Sequence, residues 1–478
     1  MLTTSAAPAA SATRRWPPQI KYIVGNEACE RFSYYGMRSI LAGYITGAVV
    51  RGGLGRDADA ATEIIHLFVF ANYFMPLLGA WLSDKLIGRY HTILWVSLFY
   101  CAGHGVLACS DLAAGVHGKM LCLGIGLALI AFGSGGIKPC VSAFMGDQFK
   151  PEQSHLLQKA YGAFYWSINF GSFFSFLLIP WVKDRYGFSL AFGVPGILMA
   201  IATAVFWLGT KHYVRVPPGR ETKQAGFFKV LLGGLLAERV AGLKFWDAAR
   251  TRFSAREVDA ARSVPPILFV FALVPVFWSL FDQTNSTWVL QGQKMVSIEL
   301  LGLKIGAEQM QSVNPALVML LVPLLTLGVY PRLGRLVSPL RRMSCGMFLA
   351  SASYLVVAAL EARIDAGAHL SILWQSVPYL ILTTAEVLVS TTGLEFAFRE
   401  AAPELKSTIM SFWLLTVAFG NLLVMAVTKV FSSATDHAAS VSAVRFLMYA
   451  GLTFVVAILF SIIARFYKYR DAAAAQGR

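Results

Sequence analysis

The chain contains a series of apolar segments, each long enough to cross a lipid bilayer as an α-helix. A crossing takes about 20 mostly apolar residues, and the sequence offers twelve such segments in 478 residues. They cover residues 20–50, 62–86, 92–110, 120–146, 160–182, 189–213, 264–285, 315–336, 343–361, 372–398, 406–431 and 442–467. The pattern predicts an all-α polytopic membrane protein with twelve transmembrane helices. It excludes a soluble enzyme, a disulfide-stabilised scaffold and a disordered protein.

Charge is scarce and mostly basic. Charged residues make up 14% of the chain, against roughly 25% in a typical soluble domain, and 41 Lys and Arg stand against 26 Asp and Glu. Most basic residues fall at the termini and in alternate loops, as in a membrane protein with both ends in the cytoplasm. We therefore expect contacts with membrane lipid and no nucleic-acid partner. The six cysteines lie mainly in apolar stretches without C-x-x-C spacing, and no metal site or cofactor is expected.

The apolar segments form two groups of six. The predicted organisation is a cytoplasmic tail (1–19), a six-helix bundle (20–213), a basic cytoplasmic linker with an amphipathic helix (214–263), a second six-helix bundle (264–468) and a cytoplasmic tail (469–478). This plan resembles the major facilitator superfamily. Residues 79–89 (GAWLSDKLIGR) are similar to that superfamily's G-x-L-x-D-x-x-G-R loop with one extra residue, and a weaker echo occupies residues 330–335.

Ionisable side chains inside the apolar segments are candidate functional residues. At membrane depth each costs at least about 2.5–3.5 kcal/mol unless it faces a cavity or a partner. The first segment holds Glu27, Glu30, Arg31 and Arg38, and positions 27, 31, 34 and 38 fall on one stripe of a helix. We expect this stripe to line an internal path. The alternative is an internally neutralised structural cluster, since Glu27 and Arg31 are spaced to form an ion pair.

Further candidates stand alone or in pairs. Lys138 follows a glycine-rich run (GSGGIKP, 133–139) that lacks the Gly-Lys-Ser/Thr spacing of a nucleotide site. The glycines favour close helix packing, which leaves Lys138 as an intramembrane cation that needs an anion. The other candidates share a helix face in pairs: His66 with Tyr73, Tyr165 with Asn169, and Trp278 with Asp282.

Two glutamates lie in the tenth segment. Glu386 and Glu395 are nine residues apart, about 180° around a helix, so they face the same cavity only if the helix bends near Gly393. We expect Glu395 to face the cavity and to pair with a cation from the other half. Glu386 is expected to pack behind it.

Residues 27–36 (EACERFSYYG) resemble the E-x-x-E-R-F-x-Y-Y-G signature of the proton-dependent oligopeptide transporter (POT) family. Further stretches agree in order between about residues 20 and 425: 132–149, 164–172, 277–283, 314–315, 393–396 and 411–415. Two positions depart from the family pattern, which usually has a tyrosine and a serine where Phe398 and Arg399 stand. Arg399 is spaced either to pair with Glu395, weakening its hold on a peptide amine, or to add charge at the helix end.

The resemblance implies roles for individual residues. The proton-coupling set is Glu27, Glu30, Arg31 and His66. The substrate-binding set is Arg31, Tyr35, Arg38, Tyr73, Lys138, Tyr165, Asn169, Trp278, Asn314, Glu395 and Trp413. The gating set is Arg38 with Asp282, and Lys138 with Glu395. Arg31 and Lys138 would hold the peptide carboxylate, and Asn169, Asn314 and Glu395 would hold its amine.

The resemblance also implies the activity. The chain is expected to import di- and tripeptides across a bacterial inner membrane as a monomer, by alternating access, with protons as coupling ions. A carrier of nitrate or another small anion is the near alternative, because relatives in the superfamily share a similar first-helix motif. A peptide sensor without transport is disfavoured by the intact Glu27 and Glu30. No nucleophile–base set or metal cluster suggests an enzyme.

Overall fold

The computed structural model describes residues 16–219, 226–236, 245–333, 338–402, 405–432 and 440–469. Of the predicted tails, residues 1–15 and 470–478 lie outside this part of the chain, as do residues 334–335 of the loop echo. The first half contains six long helices: α1 (Ile20–Thr46), α2 (Ala58–Trp81), α3 (Gly88–Ala108), α4 (Gly115–Gly146), α5 (Ser154–Tyr186) and α6 (Phe188–Leu208). Short 3-10 turns cover Val49–Arg51, Ser110–Leu112, Pro151–Gln153 and Gly209–Lys211, and a π-helical segment, Leu82–Ile87, joins α2 to α3.

The rest of the chain contains shorter helices and one hairpin. The helices are α7 (Phe227–Leu235), α8 (Phe245–Ala249), α9 (Ala255–Arg262), α10 (Val264–Phe271), α11 (Val274–Phe281), α12 (Thr287–Gln293), α13 (Val313–Pro323), α14 (Tyr330–Leu333), α15 (Pro339–Asp365), α16 (Ser376–Glu386), α17 (Thr392–Glu400), α18 (Lys406–Ser432) and α19 (Ala443–Phe466). Two further π-helical segments are Leu324–Val329 and Val387–Thr391, and 3-10 turns cover Asp282–Asn285, Gln309–Ser312 and Ile372–Gln375. Strands β1 (Ile298–Leu300) and β2 (Leu303–Ile305) pair antiparallel.

Nine helical stretches of the described residues are long and apolar enough to cross a membrane, or ten if a bent pair counts as one crossing. The bent pair is Ala255–Phe271 with Val274–Gln293, at 44°. One stretch, Ala58–Ala108, has 51 residues, about 77 Å of helix, which is enough for two crossings of a core about 30 Å thick. α1 is not among the nine because of its buried charges. The predicted total of twelve is consistent with these stretches and stays a prediction.

The helices pack in two groups that meet along shared faces. α1 packs on α5 and α6, and α4 packs on α2 and α3; in the second group α15 packs on α16 and α19, and α11 packs on α18. The groups meet where α2 contacts α18 and where α5 contacts α13. The glycines of α4 permit its close approach, as predicted. A Cβ on Gly135 would lie 2.6 Å from the Met75 Cβ, and one on Gly133 would lie 2.7 Å from the Tyr100 Cα.

Three features differ in detail from the sequence-based expectation. The seventh apolar segment is broken into α10 and α11, where Pro265 and Pro275 stand in the first turns. The linker contains three short helices in its described parts, where an amphipathic helix was expected. The tenth segment, for which a bend near Gly393 was considered, contains the π-helical segment Val387–Thr391, which ends two residues before that glycine.

Candidate functional site

A cavity lies between the two helix groups, and its wall combines aromatic rings with amides and a few charges. The lining residues are Tyr35, Arg38, Tyr73, Tyr165, Ile168, Asn169, Ser172, Phe176, Trp278, Phe281, Asp282, Thr284, Asn285, Gln311, Asn314, Tyr379, Glu386 and Ser390. The cavity thus gathers eight residues predicted from the sequence: Tyr35, Arg38, Tyr73, Tyr165, Asn169, Trp278, Asp282 and Asn314. Broad apolar walls with a few placed polar groups are typical of small-molecule sites.

The charged stripe of α1 is buried and forms a compact cluster. Arg31 Nε lies 3.1 Å from Glu27 Oε1 and also pairs with the adjacent Glu30. Ser134 of α4 donates a hydrogen bond to Glu30 Oε1 at 3.3 Å. The contact between Glu27 and Arg31, on which the alternative interpretation of the stripe was based, is confirmed, and one guanidinium pairs with two carboxylates. Of the stripe residues, Arg38 lines the cavity.

Lys138 has a different environment. Its ammonium lies 3.8 Å from the centre of the Tyr73 ring and 5.2 Å from that of Tyr34. The nitrogen is buried and has no hydrogen-bond partner among the described residues. Ring faces attract a cation but offer less than a paired anion. Lys138 therefore adjoins the cavity through Tyr73, whose ring lies in the wall.

A buried ion pair between the helix groups lines one end of the cavity. Arg38 Nη2 of α1 lies 2.8 Å from Asp282 Oδ1, and both side chains are buried. Asn421 of α18 donates to the other oxygen of Asp282 at 2.7 Å. His66 Nδ1 lies 2.6 Å from Asn421 Oδ1, and its Nε2 lies 2.8 Å from Ser286 Oγ. The buried network links α1, α2 and α18 with the 3-10 turn Asp282–Asn285 that follows α11. We call this end of the cavity the outer end.

Asn421, Ser286 and Ser134 are missing from the sequence-based set of candidates. Asn421 is an amide in an apolar segment, and that signal was available in the sequence. Ser286 and Ser134 carry no comparable signal, because serine is common in transmembrane helices and bonds readily to its own backbone.

The prediction of which glutamate in the tenth segment faces the cavity is wrong. Glu386 lines the cavity, and its Oε2 accepts a hydrogen bond from Asn314 Nδ2 at 2.7 Å. Glu395 lies outside the lining and pairs with Arg342 at 2.6 Å and with Arg399 at 3.5 Å. Both partners of Glu395 belong to its own helix group, whereas the prediction required a cation from the other group. The proposed pair of Lys138 with Glu395 is therefore absent from the described contacts of this conformation.

The two tryptophans occupy successive layers. Trp278 lines the cavity, and Trp413 lies behind it with the ring centres 6.4 Å apart. Trp413 packs on Gly393, where any Cβ would collide with the indole ring. Trp413 therefore supports the wall and does not form it in this conformation, contrary to its predicted contact with a ligand.

These features define a class of protein. A cavity with aromatic and polar walls between two helix groups inside a membrane, with a buried ion pair between the groups, is the architecture of a membrane transporter of the major facilitator fold. The chain is an integral membrane protein.

Comparison with known proteins identifies the family. The profile of the POT family matches residues 90–444. The chain is 37% identical over 375 residues to peptide transporter family 1 of Drosophila melanogaster. The match covers 74% of this chain and 49% of that protein. It is 36% identical over 380 residues to solute carrier family 15 member 1 of Mus musculus, with coverages of 73% and 52%. The chain belongs to the POT family, and it spans about half the length of the curated relatives it matches.

Solved structures agree with this assignment. A crystal structure described as an auto inhibited POT family peptide transporter has a TM-score of 0.87 and 40% identity, covering 95% of this chain and 98% of that one. The structure of the POT family transporter PepTSo has a TM-score of 0.85 and 40% identity, with coverages of 94% and 98%. The matched family region begins after α1, so the first-helix motif is an additional point of resemblance.

Proposed function

We propose that the chain is a proton-coupled symporter of di- and tripeptides that works by alternating access. The observation that supports this most directly is the charge arrangement of the cavity. Lys138, a buried cation without a partner anion in the part of the chain that the structure describes, contacts Tyr73 in the cavity wall. Glu386 and Asn314 add a carboxylate and an amide to the lining. A peptide is a zwitterion with constant termini and variable side chains, so such a site binds the termini while the aromatic walls tolerate the rest.

The residue roles follow from this arrangement. We assign the peptide carboxylate to Lys138 and Arg31, and the peptide amine to Glu386 with Asn169 and Asn314. Tyr35, Tyr73, Tyr165 and Trp278 form the aromatic wall, with Trp413 behind it. Glu27, Glu30, Arg31 and His66 form the proton-coupling set, and Arg38 with Asp282 forms the outer gate. Protons are the coupling ions, and no cofactor is required.

The coupling has a simple physical basis. A glutamate beside an arginine is held ionised, and it binds a proton more readily when the arginine leaves in a low-dielectric site. Arg31 contacts both Glu27 and Glu30, so a peptide carboxylate that attracts Arg31 releases a glutamate for protonation. Peptide and proton binding thereby support each other.

We also propose the placement of the chain in the membrane. The six-helix bundles comprise residues 20–213 and 264–468, and the basic linker at 214–263 lies on the cytoplasmic side with both termini. The membrane is the bacterial inner membrane, and the monomer is the working unit. The cavity lies within one chain, which is why a second copy is not needed to complete it.

The test is uptake of a labelled dipeptide into proteoliposomes, with and without an inward proton gradient. We expect accumulation that requires the gradient and is blocked by a tripeptide. Nitrate serves as the second competitor. Gradient-dependent uptake of nitrate without any uptake of dipeptide would contradict the proposal and favour an anion carrier.

Replacing Arg399 by serine is expected to change the affinity for peptides with a free amine by less than about two-fold. Arg399 and Glu395 both lie outside the cavity lining, and exposed ion pairs contribute at most about 1 kcal/mol. The measurement is the KM for dipeptide uptake. A several-fold gain in affinity would restore Glu395 to the amine site.

A further inference from the structure

A second ion pair joins the two helix groups at the outer end. Lys183 lies near the C-terminal end of α5, and Glu308 lies in the segment that leads into α13. The Lys183 Nζ is 2.5 Å from Glu308 Oε2. Glu308 is only 4% exposed, so the carboxylate of this ion pair is buried. It connects elements that must separate if the outer end is to open.

The pair lies outside the Arg38–Asp282 gate. Glu308 contacts α1 at Gly43, where any Cβ would collide with the Oε1 atom. Gly43 is five residues beyond Arg38, about 7.5 Å further along the helix. Between these two levels Gln311, which lines the cavity, also contacts α1, since its Nε2 donates to the carbonyl of Ser39 at 3.1 Å. The outer end is therefore closed by two layers.

In the described part of the chain, one of the two oxygens of the Glu308 carboxylate has a polar partner. Its Oε1 is buried and has no hydrogen-bond partner among the described residues. The charged groups that face it are Lys183 and Asp184 at the end of α5 and Lys304 in β2, while α1 presents only the neutral Gly43. Burial raises the pKa of Glu308 above its ordinary value, and the charge of Lys183 acts against that rise.

Lys183 has an alternative partner within its own helix group. Its Nζ lies 3.2 Å from Asp184 Oδ1, and the Asp184 side chain is 44% exposed. When Glu308 becomes neutral, Lys183 keeps its proton and remains paired with Asp184. Separation then leaves no unpaired buried charge on either side, which removes the main cost of breaking a buried ion pair.

We propose that Glu308 is a proton-binding site and that its ion pair with Lys183 is a second outer latch, released when an external proton binds the free oxygen of the carboxylate. This inference rests on alternating access from the proposed function and adds a proton site outside the coupling set of α1 and α2. The proton comes from the outer solution, the carboxylate becomes a carboxylic acid, and the charge of Lys183 is unchanged.

The test measures the distance across the outer end in the full chain without peptide. Spin labels are placed at the exposed positions 50 and 373 (Val50→Cys and Leu373→Cys), in a background with the six native cysteines replaced. At pH 8 we expect Glu308→Gln and Lys183→Gln each to raise the outward-open fraction about five-fold or more. On acidification the wild type should open further, and Glu308→Gln should respond less.

The matched control is a second lysine–glutamate pair that lies within one helix group. Lys294 pairs with the buried Glu361 of α15, so Lys294→Gln should leave the distance distribution at pH 8 unchanged. Wild-type distributions in both latch variants at pH 8 would overturn the proposal. An equal acid response in Glu308→Gln and the wild type would overturn the proton site. Because the readout needs no peptide, failure of the peptide assignment is a separate result.

Discussion

Replacing Glu386 by glutamine is expected to weaken binding of a peptide with a free amine by about 30- to 1000-fold. Breaking a buried, hydrogen-bonded charge pair costs about 2–4 kcal/mol, and Glu386 is the carboxylate of the cavity that stands beside Asn314. Glutamine keeps the size of the side chain and an oxygen that accepts from Asn314. The loss should therefore come from the missing charge and not from a collapsed wall.

The measurement is competition against a labelled dipeptide, using the same dipeptide with a free and with an acetylated amine. The difference in affinity between the two ligands should be large in the wild type and small in Glu386→Gln. Glu395→Gln is the matched control, because that glutamate is in the same segment but pairs with Arg342 outside the cavity. An unchanged preference for the free amine in Glu386→Gln, or its loss in Glu395→Gln, would return the amine site to Glu395.

The charged stripe of α1 illustrates what could be predicted from the sequence. Helical spacing alone places Glu27 and Arg31 one turn apart, and the structure contains that ion pair. The glycines of α4 likewise predict close packing, and the apolar segments predict the helical fold. These features depend on the local spacing of residues, which can be read from the sequence.

The two glutamates of the tenth segment show why local spacing was insufficient. The spacing correctly indicated that Glu386 and Glu395 face different directions. It could not indicate which of them faces the cavity, because that depends on how the segment is rotated against α13 and α15. The deciding contacts, from Glu386 to Asn314 and from Glu395 to Arg342, connect residues 72 and 53 positions apart.

Contacts between residues that are far apart in the sequence cannot be predicted from local patterns. His66 meets Asn421 across 355 residues, and no pattern near either residue identifies the other. The hairpin of β1 and β2 was missed for a different reason. Its turn is Leu301-Gly302, both with positive φ, whereas the sequence signal for such a turn is Asn-Gly or Asp-Gly.

The second large effect concerns energy coupling. Replacing Glu30 by glutamine is expected to abolish uphill uptake of peptide while exchange of peptide across the membrane continues. One proton driven by about 100 mV and one pH unit supplies roughly 3.7 kcal/mol, enough for a gradient of about 500-fold. In the variant the accumulation ratio should fall towards about one, because the residue at position 30 no longer exchanges a proton.

The structure explains why exchange should survive in Glu30→Gln. Arg31 keeps its pair with Glu27 at 3.1 Å, and Ser134 can still donate to the amide oxygen at position 30. The buried cluster therefore retains a charge-balanced pair, and the cavity residues Asn314 and Glu386 are untouched. We expect counterflow of labelled dipeptide within about two-fold of the wild-type rate at equal pH on both sides. Accumulation well above the external concentration in this variant would remove Glu30 from proton coupling, whereas loss of counterflow together with uptake would make the cluster part of the peptide site.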